Sequence, residues 1–531
     1  MRCAPKFSDV SACPAAGRPA HSRGLSRREW LAAAGTAGLA VWFPQAAPAA
    51  EETERVRHIP LSLSAAPDRE PADGLLTGFQ GFGWQSFAIG EPGAPPTRLA
   101  AAPDAVPRVT DDADCRLRLT NAIDVRDVYR IDASLPDGQP LGSFDLRFAG
   151  LYQVQELPLT PDQARQVLAQ GVRLRMSAGP QPVWFFGPSP AASPPPDVVQ
   201  LPHVLVARGA GPRAEFERRL LGLVMLQGFG WQSGCVSEGV LDLAEARSDR
   251  QLQEAVDRQL AMYFTDTGVF FESPRSRPMR DRVGGIEEPL PWATLARRQP
   301  DHPAIALAVD FLLSRTDSDP IIARGGNLTT EGNYTAAYPT AVLARTLGRD
   351  DLADLALRQL ANRRIANVHQ GDIYQRANPA GQGRLRNWCR GVCWYYLGIV
   401  RTLLALQDES AVSAWQAELQ RVAAMLRRYQ RADGLWSNFL HDAQALPDTS
   451  GSAGLAAALA RAHQAGWLDP SARQAAERTY EGLTTHLTPD GLLGGAAQSN
   501  KGGDALQHSD YRVLYQMGMG LKAQLMAALE S

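Results

Sequence analysis

Residues 386–398 read Arg-Asn-Trp-Cys-Arg-Gly-Val-Cys-Trp-Tyr-Tyr-Leu-Gly, which places Trp388, Arg390 and Trp394 in the first turns of one predicted helix. Arg390 and Trp394 are four residues apart and therefore share a face of that helix. Arginine binds carboxylates through two parallel hydrogen bonds and tryptophan packs against flat rings, so the pattern suits an anionic, ring-shaped ligand. The alternative is a core helix in which the tryptophans fill space and the arginine pairs with an internal carboxylate.

Helical periodicity continues on both sides of this segment, from about residue 210 onward. The clearest case is 410–429, where apolar residues recur every three or four positions. Similar patterns predict helices over 213–226, 249–264, 302–314, 333–347, 349–364, 388–406, 452–465, 470–486 and 510–529. So many helices of similar length favour a repetitive helical array.

Glycine turns follow several of these helices, at Gly268, Gly371, Gly434 and Gly491, and the last three are separated by 63 and 57 residues. A helix, a glycine turn, a short extended piece and a second helix make a repeat of this length. Six such repeats fill residues 210–531, and they predict an all-α (α/α)6 barrel, a six-hairpin toroid with its active site at one mouth. An open superhelical stack is the alternative closure.

The preceding region, residues 55–186, has a different character. Cys115–Thr120 and Val128–Ala133 alternate apolar and polar residues between turn-forming segments, which predicts a β-rich N-terminal domain, most simply a sandwich. The proline-rich range 187–209 is predicted to be a stiff linker to the barrel.

One seven-residue segment occurs twice. Gln80–Ser86 and Gln227–Ser233 both read Gln-Gly-Phe-Gly-Trp-Gln-Ser. The first copy opens the β-rich region, and the second is predicted to end the first barrel helix.

Residues 1–50 are predicted to be a twin-arginine signal peptide. Ser26–Leu31 carries the paired arginines, and an apolar run and the small-residue site Ala47–Ala49 follow it. A membrane anchor is the alternative, but the apolar run is shorter than the ~20 residues that a span needs. We therefore expect the twin-arginine translocase as a partner during export, a periplasmic or secreted mature protein, and no membrane association after cleavage.

The formal net charge of −2 gives no reason to expect nucleic acid or an anionic membrane as a partner. Cys389 and Cys393 have helical i,i+4 spacing, but no histidine or carboxylate accompanies them at the spacing of metal ligands. We therefore expect neither a metal nor a cofactor.

Residues 210–531 resemble the six-hairpin glycosidases, specifically the unsaturated glucuronyl and rhamnogalacturonyl hydrolases of glycoside hydrolase families 88 and 105. Three motifs carry the resemblance, and each has a counterpart in those families: Trp388-x-Arg390-x-x-x-Trp394-Tyr395; Asp433-Gly-Leu-Trp436 followed by Thr449–Ala453; and Gln498–Gly503 leading to Ser509–Arg512. The resemblance implies a glycoside hydrolase whose Trp388, Arg390 and Trp394 help to hold a substrate uronate.

The departures from the family pattern concern the catalytic residues. Family members place an aspartate seven residues before a proline, whereas the only carboxylate in the corresponding segment here is Glu331, eight residues before Pro339. We expect Glu331 to be the proton donor, against the alternative of a helix N-terminal carboxylate stabilised by the helix dipole. The second family carboxylate aligns with Glu287 or Glu288, and the family histidine with Gln375 or Arg376.

Four further residues are candidates for lining the mouth. Tyr334 is an aromatic neighbour of Glu331, and His369 precedes the Gly371 turn. Lys501 lies in a glycine-rich loop, where an exposed lysine is the ordinary interpretation, and Arg512 is a candidate second uronate anchor.

The leading interpretation is an exo-acting glycoside hydrolase that removes a terminal uronic acid, in its unsaturated form, from polysaccharide-derived oligosaccharides. By the resemblance, water adds to the double bond of the unsaturated sugar, which needs one strong proton donor. A saturated-uronate glycosidase needs two carboxylates. A polysaccharide lyase on the same toroid needs a base set, for which Tyr334 with His369 is the only combination. A non-catalytic glycan-binding protein keeps the aromatic mouth without a working acid.

Overall fold

Strands dominate the N-terminal region, and helices form the rest of the chain. The computed structural model describes residues 55–65, 84–102, 109–189, 192–209, 211–266, 268–272, 278–314, 327–378 and 380–531. The predicted signal peptide and the first four residues of the first Gln-Gly-Phe-Gly-Trp-Gln-Ser copy lie outside these ranges. Within the described part, the β-rich region and the helices belong to one compact unit.

An eight-stranded antiparallel sheet forms the N-terminal region, in the order β6-β5-β8-β3-β1-β10-β4-β7. Its strands are β1 Val56–Ala65, β3 Thr97–Ala101, β4 Asp114–Thr120, β5 Val128–Ser134, β6 Pro140–Arg147, β7 Val154–Leu159, β8 Val172–Ala178 and β10 His203–Ala207; β2 Gln85–Ile89 pairs separately with β9 Val183–Gly187. The first half of β1 pairs with β10 and the second half with β3, so β1 joins two halves of the sheet. The predicted β-rich domain is confirmed, and it also contains one helix, α1 Pro161–Gln170.

The predicted linker needs correction. The range 187–209 contains β10, which lies between β1 and β4 in the middle of the sheet and is buried along its whole length. Its apolar Val-Leu-Val core is the pattern of a central strand, but the surrounding prolines obscured that pattern in the sequence. This stretch is therefore part of the β-rich region.

Among the residues that the structure describes, the helical region contains six inner helices, each packed against the next. They are α3 Trp231–Arg247, α5 Leu290–Arg298, α7 Tyr338–Leu347, α9 Cys389–Leu406, α11 Thr449–Gln464 and α14 Gln516–Glu530. The first and last, α3 and α14, also pack together and close the ring. At this seam the backbones touch, since a Cβ on Gly239 would lie 1.9 Å from the carbonyl oxygen of Gly520. The closure confirms the (α/α)6 barrel over an open stack.

Helices outside the ring alternate with the inner ones along the chain. They are α2 Pro212–Leu220, α4 Arg250–Ala261, α6 Ile305–Ser314, α8 Asp350–Asn367, α10 Glu409–Tyr429 and α12 Pro470–Thr484, with a short α13 at Gly503–His508. Short strands connect the helix pairs: β11 Phe264–Thr265, β12 Gly268–Glu272, β13 Pro278–Arg280, β14 Leu328–Thr329, β15 Val368–His369, β16 Asp372–Ala377, β17 Gly383–Arg386, β18 Ala496–Ala497 and β19 Arg512–Val513.

Two inner helices, α3 and α5, were not predicted from the sequence. Helix α3 is buried on nearly every side and even buries the acidic Glu238 and Asp242, so it lacks the polar face that reveals a surface helix. Both carboxylates are paired inside the barrel, with Arg297 of α5 and Arg401 of α9. The second Gln-Gly-Phe-Gly-Trp-Gln-Ser copy therefore starts α3 rather than ending the helix before it.

The glycine turns are confirmed, because Gly268, Gly371, Gly434 and Gly491 all have positive φ. Gly434 illustrates why no other residue suits: φ is 82° and a Cβ would lie 2.3 Å from the carbonyl oxygen of Arg478.

Gly434→Ala is expected to destabilise the protein by about 1–3 kcal/mol, from the strained φ together with the clash. Gly348→Ala is the matched control, since Gly348 also has a positive φ of 63° but open space around it. Urea unfolding should show a larger loss for Gly434→Ala. Equal losses would mean that the clash contributes nothing.

Among the described residues, no helix combines the length and the apolar character that crossing a membrane requires.

Candidate active site

Two glutamates from different repeats meet at one mouth of the barrel. Glu331 follows the two-residue strand β14 and precedes a π-helical turn, Asn333–Ala337, that leads into α7. Glu287 lies in the loop between β13 and α5. The charge of Glu331 raises the pKa of Glu287, which lies 44 positions earlier in the chain, so the two carboxyl groups interact electrostatically. π-Helical turns are rare and often occur at functional sites.

Strand pairing positions the partners of Glu331. In the β14–β16 pair, Thr329 lies opposite Arg376, and the backbone N–H of Thr330 donates to the carbonyl of Gln375 at 2.9 Å. The Gln375 side chain then reaches Glu331, and its Nε2 lies 2.9 Å from one carboxylate oxygen and 2.8 Å from the other. Arg376 is exposed and its charge acts on both glutamates. The site therefore combines two acids, one amide donor and one cation.

The surroundings raise the pKa of both carboxyl groups. Burial within the concave mouth, together with the charge of Glu331, raises the pKa of Glu287 to about 7, although water reaches the residue. Burial also raises the pKa of Glu331, against hydrogen bonds to Thr329 and Gln375 and the charge of Arg376. Two neighbouring carboxyl groups titrate together. Gln375 donates to both oxygens of Glu331 and so favours the ionised form of that carboxyl group, whereas in the described part of the chain Glu287 has no such donor.

A cavity of about 640 Å³ opens beside Glu287. Its lining includes Trp231 and, on the loop before α5, residues 282–288. Trp231 is only partly buried, and its ring packs edge-on against those of Trp394 at 5.8 Å and Tyr515 at 6.0 Å. An aromatic ring held in this way offers a flat apolar face to a sugar. A second cavity, about 700 Å³, lies at the far end of α14 around Asp433 and Glu481, away from the carboxylates.

Glu288 lines the same cavity but is buried, and its carboxylate accepts a short hydrogen bond from the backbone N–H of Gly284. This contact fixes the loop that carries Glu287. Of the two aligned glutamates, Glu287 is therefore the partner of Glu331 and Glu288 holds the loop.

The expected uronate motif is part of the core, which corrects the sequence interpretation. Trp388 is 2% exposed, and its indole N–H donates to Gln507 at 3.0 Å. Arg390 is 1% exposed and stacks on Trp388 at 4.7 Å. Its guanidinium donates to the Ser450 hydroxyl and to the carbonyls of Ala497 and Gln498, at 2.6–3.0 Å. The alternative, a space-filling helix with an internally paired arginine, describes these residues.

Trp394 and Tyr334 are likewise buried, with their rings stacked at 5.7 Å, and they lie beneath Trp231. The Tyr334 hydroxyl accepts a hydrogen bond from Gln524 at 2.8 Å. These residues support the exposed aromatic rather than contacting a ligand. Tyr334 in this position gives no support to the lyase interpretation, which needs an accessible base.

The three remaining candidates have other partners. The Nε2 of His369 lies 2.7 Å from the carbonyl of Ala366, in the β15–β16 hairpin. The ammonium of Lys501 contacts the Asp124 carboxylate and the carbonyl of Ala149. Arg512 donates to four backbone carbonyls, those of Leu446, Pro447, Ser509 and Tyr511. In the part of the chain that the structure describes, none of these contacts reaches the glutamate pair.

Sequence reasoning missed Trp231 and gave Arg376 no role. The signal for Trp231 was the second copy of Gln-Gly-Phe-Gly-Trp-Gln-Ser, whose Gly230 has a φ of 109° and starts α3 at the mouth. In the described part of the chain, no group of three or more His, Cys, Asp or Glu side chains could hold a metal ion.

Comparison with known families assigns the chain to a class of enzyme. Residues 334–531, a little over a third of the chain, match the model of Glycosyl Hydrolase Family 88. The match confirms the resemblance that the sequence motifs indicated, and it identifies the chain as a glycoside hydrolase. The matched range begins three residues after Glu331, so neither carboxylate of the pair falls within it. No curated protein matches the chain significantly.

Several solved structures are similar to part of this chain. A possible member of glycoside hydrolase family 105 from Salmonella enterica serovar Paratyphi A is 17% identical, over 57% of this chain and 83% of its own, with a TM-score of 0.49. A second possible member, from Klebsiella pneumoniae, is 18% identical over 57% and 82%, with a TM-score of 0.49. The unsaturated glucuronyl hydrolase of Bacillus sp. GL1 is 18% identical over 56% and 85%, with a TM-score of 0.44.

Proposed function

We propose that this glycoside hydrolase removes a terminal unsaturated uronic acid from oligosaccharides, acting from the chain end, with Glu287 and Glu331 as its working pair. The observation that carries the proposal is the pair itself, two adjacent carboxyl groups beside Arg376 at a mouth that also exposes Trp231. The match to Glycosyl Hydrolase Family 88 supports the uronate as substrate. Arg376 supplies a cation for the sugar's carboxylate.

The proposed chemistry adds water across the C4=C5 double bond of the unsaturated sugar. Protonated Glu287 donates its proton to C4, and water attacks C5 while ionised Glu331 accepts a proton from that water. The hemiketal formed at C5 then opens, and the glycosidic oxygen leaves with a proton as the alcohol of the next sugar. This exchanges the roles expected from the sequence, because Gln375 holds Glu331 in its ionised form.

The proposed location is the periplasm or the exterior of the cell. The twin-arginine motif at Ser26–Leu31 supports it, since that motif directs export. Fractionation of cells that express the chain with Arg27 and Arg28 intact or replaced by lysine tests this location.

The direct test of the function is turnover of an unsaturated uronyl disaccharide, followed by the absorbance of its double bond. Loss of absorbance together with release of the second sugar is the expected result. Appearance of such absorbance from a saturated polyuronate would instead indicate a lyase. Cleavage of a saturated uronide without any absorbance change would indicate direct hydrolysis.

The pH dependence of turnover tests the assignment of roles. A proton donor works only while protonated, so with Glu287 as donor kcat/KM is expected to fall as the pH rises through about 7, the raised pKa of this residue. Glu287→Gln should remove this limb along with most of the activity. A kcat/KM that rises through the same pH would assign Glu287 as the base and return the donor role to Glu331.

A further inference from the structure

Helix α8 holds the backbone that leads to Glu331. Asn367, the last residue of α8, donates to one carbonyl in β14 and one in β16, at 3.0 and 2.9 Å. One turn earlier, the Nε of Arg363 donates to the carbonyl of Thr329 at 2.9 Å. Thr329 ends β14, so Glu331 lies two residues beyond the contact with Arg363.

The guanidinium of Arg363 lies directly against Gly332, the residue after Glu331. A Cβ at Gly332 would lie 1.9 Å from Nη2 and 2.2 Å from the guanidinium carbon of Arg363. The backbone itself does not require glycine here, since φ is −63°. The guanidinium therefore occupies the space that a side chain at 332 would take.

Arg363 is a buried cation that has no ion pair in the described part of the chain. It is 0% exposed. Its Nη1 donates to the carbonyl of Gln359 at 3.2 Å, and its Nη2, the nitrogen nearest Gly332, has no hydrogen-bond partner among the described residues. Burial lowers the pKa of Arg363 to about 10, against the charge of Glu331, so the guanidinium is charged at neutral pH. A charge in a dry interior acts strongly on an ionisable group near it, which here is Glu331.

Other groups act on Glu331 from other elements. Gln375 and Arg376 of β16 favour its ionised form, and Glu287, on the loop before α5, interacts with it electrostatically. Arg363 differs from Arg376 because it is buried, so it acts through Glu331 and not on a ligand.

We propose that Arg363 is a positioning residue for Glu331: it fixes the backbone between β14 and Gly332 against α8, and its buried charge keeps the carboxylate able to accept a proton from the attacking water. The inference rests on the proposed function for the role of Glu331 as acceptor. Loss of the positive charge favours protonation of Glu331, so the acceptor is then lost at a higher pH. An arginine that only stabilised the fold would leave this titration unchanged.

The experiment titrates Glu331 by infrared difference spectroscopy. In the Glu287→Gln background one carboxyl group of the pair remains, and subtracting the spectra of the Glu287→Gln/Glu331→Gln double variant isolates its protonated band. Adding Arg363→Met is expected to raise the midpoint by about one pH unit, the low end of the effect of a nearby charge. Arg363→Lys keeps the charge and should raise the midpoint less. Gly332→Ala should also raise it, because the added methyl group displaces the guanidinium.

Arg364→Met is the matched control. Arg364 is the next residue on α8, its side chain is 47% exposed, and it lies over the ring of Trp415 at 5.6 Å. It should leave the midpoint unchanged. An unchanged midpoint in Arg363→Met, or in Gly332→Ala where Arg363→Met does not fold, would overturn the proposal. An equal shift in Arg364→Met would overturn it too.

The titration needs no substrate, which separates this proposal from the proposed function. With Glu287 intact, the acidic limb of kcat/KM for an unsaturated uronide should move upward in Arg363→Met together with the midpoint. A raised midpoint with an unmoved limb, or a wild-type enzyme that turns over no unsaturated uronide, would instead overturn the role of Glu331 in the proposed function.

Discussion

Glu331→Gln is expected to lower kcat/KM for an unsaturated uronide by about 10²- to 10⁴-fold, the usual contribution of a positioned acid or base. Glutamine has the same shape, and its carbonyl oxygen can still accept from Gln375, whose Nε2 lies 2.8–2.9 Å from the carboxylate oxygens. The variant should therefore fold normally and lose only the ability to take up a proton. Initial rates followed by the double-bond absorbance provide the measurement.

Two further variants sharpen this prediction. Glu287→Gln should cause a comparable loss, and the double variant should lose little more than either single one, because the two residues act as a unit. Glu254→Gln is the control, a surface glutamate on α4 that pairs with Arg250 one turn away. Multiplied losses in the double variant would show that the two glutamates act independently, which contradicts their action as a unit.

The second large effect concerns stability. Asp490→Ala is expected to lower the free energy of unfolding by about 3–5 kcal/mol, the typical cost of removing one partner of a buried ion pair, because Arg118 then keeps only the partly exposed Glu156. Asp490 lies in the last glycine turn and accepts from Arg118 of β4 at 2.6 and 3.0 Å and from the Thr488 hydroxyl at 2.7 Å. His58 of β1 lies 3.0 Å away, and the side chain of Arg118 is fully buried. Urea unfolding at neutral pH measures the loss.

Asp162→Ala is the matched control, because Asp162 is 82% exposed and its pair with Arg165 contributes at most about 1 kcal/mol. Adding Arg118→Met to Asp490→Ala should recover part of the stability, since the buried guanidinium that lost Asp490 is then replaced by an apolar side chain. A loss below about 1 kcal/mol for Asp490→Ala alone would contradict the argument.

The ion pair between Asp490 and Arg118 also predicts how the stability of the protein depends on pH. Burial opposes the ionisation of Asp490, but Arg118 and His58 outweigh it and hold the pKa of this carboxyl well below its usual range. A carboxyl group whose pKa is lower in the folded state stabilises that state fully at any pH above its pKa in the unfolded chain. This stabilisation is lost as the pH falls through the pKa of the folded state. The contribution is therefore complete at neutral pH and fades in acid.

The helices that could be predicted from the sequence are those with one solvent-exposed face. The pattern over 410–429 matches the observed Glu409–Tyr429 closely, because the outer helices alternate between core and solvent. Helix α3 was not predicted because its acidic residues are buried and paired inside the barrel. Charged residues in this helix therefore do not indicate a solvent-exposed face. Strand β10 was not predicted because it is short and lies in a proline-rich stretch.

The candidate site was predictable only in its components. Glu287 and Glu331 were both candidates, but their meeting depends on ring closure, which no local pattern encodes. Arg390 was misassigned for the same reason. The carbonyls that satisfy it belong to residues more than 100 positions away, so a buried and a ligand-binding arginine look alike in the sequence.

The seam between α3 and α14 also constrains how the protein acquires its structure. Helix α3 is the first inner helix to be synthesised, and it packs through Gly239 against Gly520 of α14, the last. The apolar surface of α3 therefore stays uncovered until nearly the whole barrel has been synthesised. Contacts this distant in sequence form slowly, and the exposed intermediate is prone to aggregate. We therefore expect folding to finish only after translation, with chaperones required in the interval.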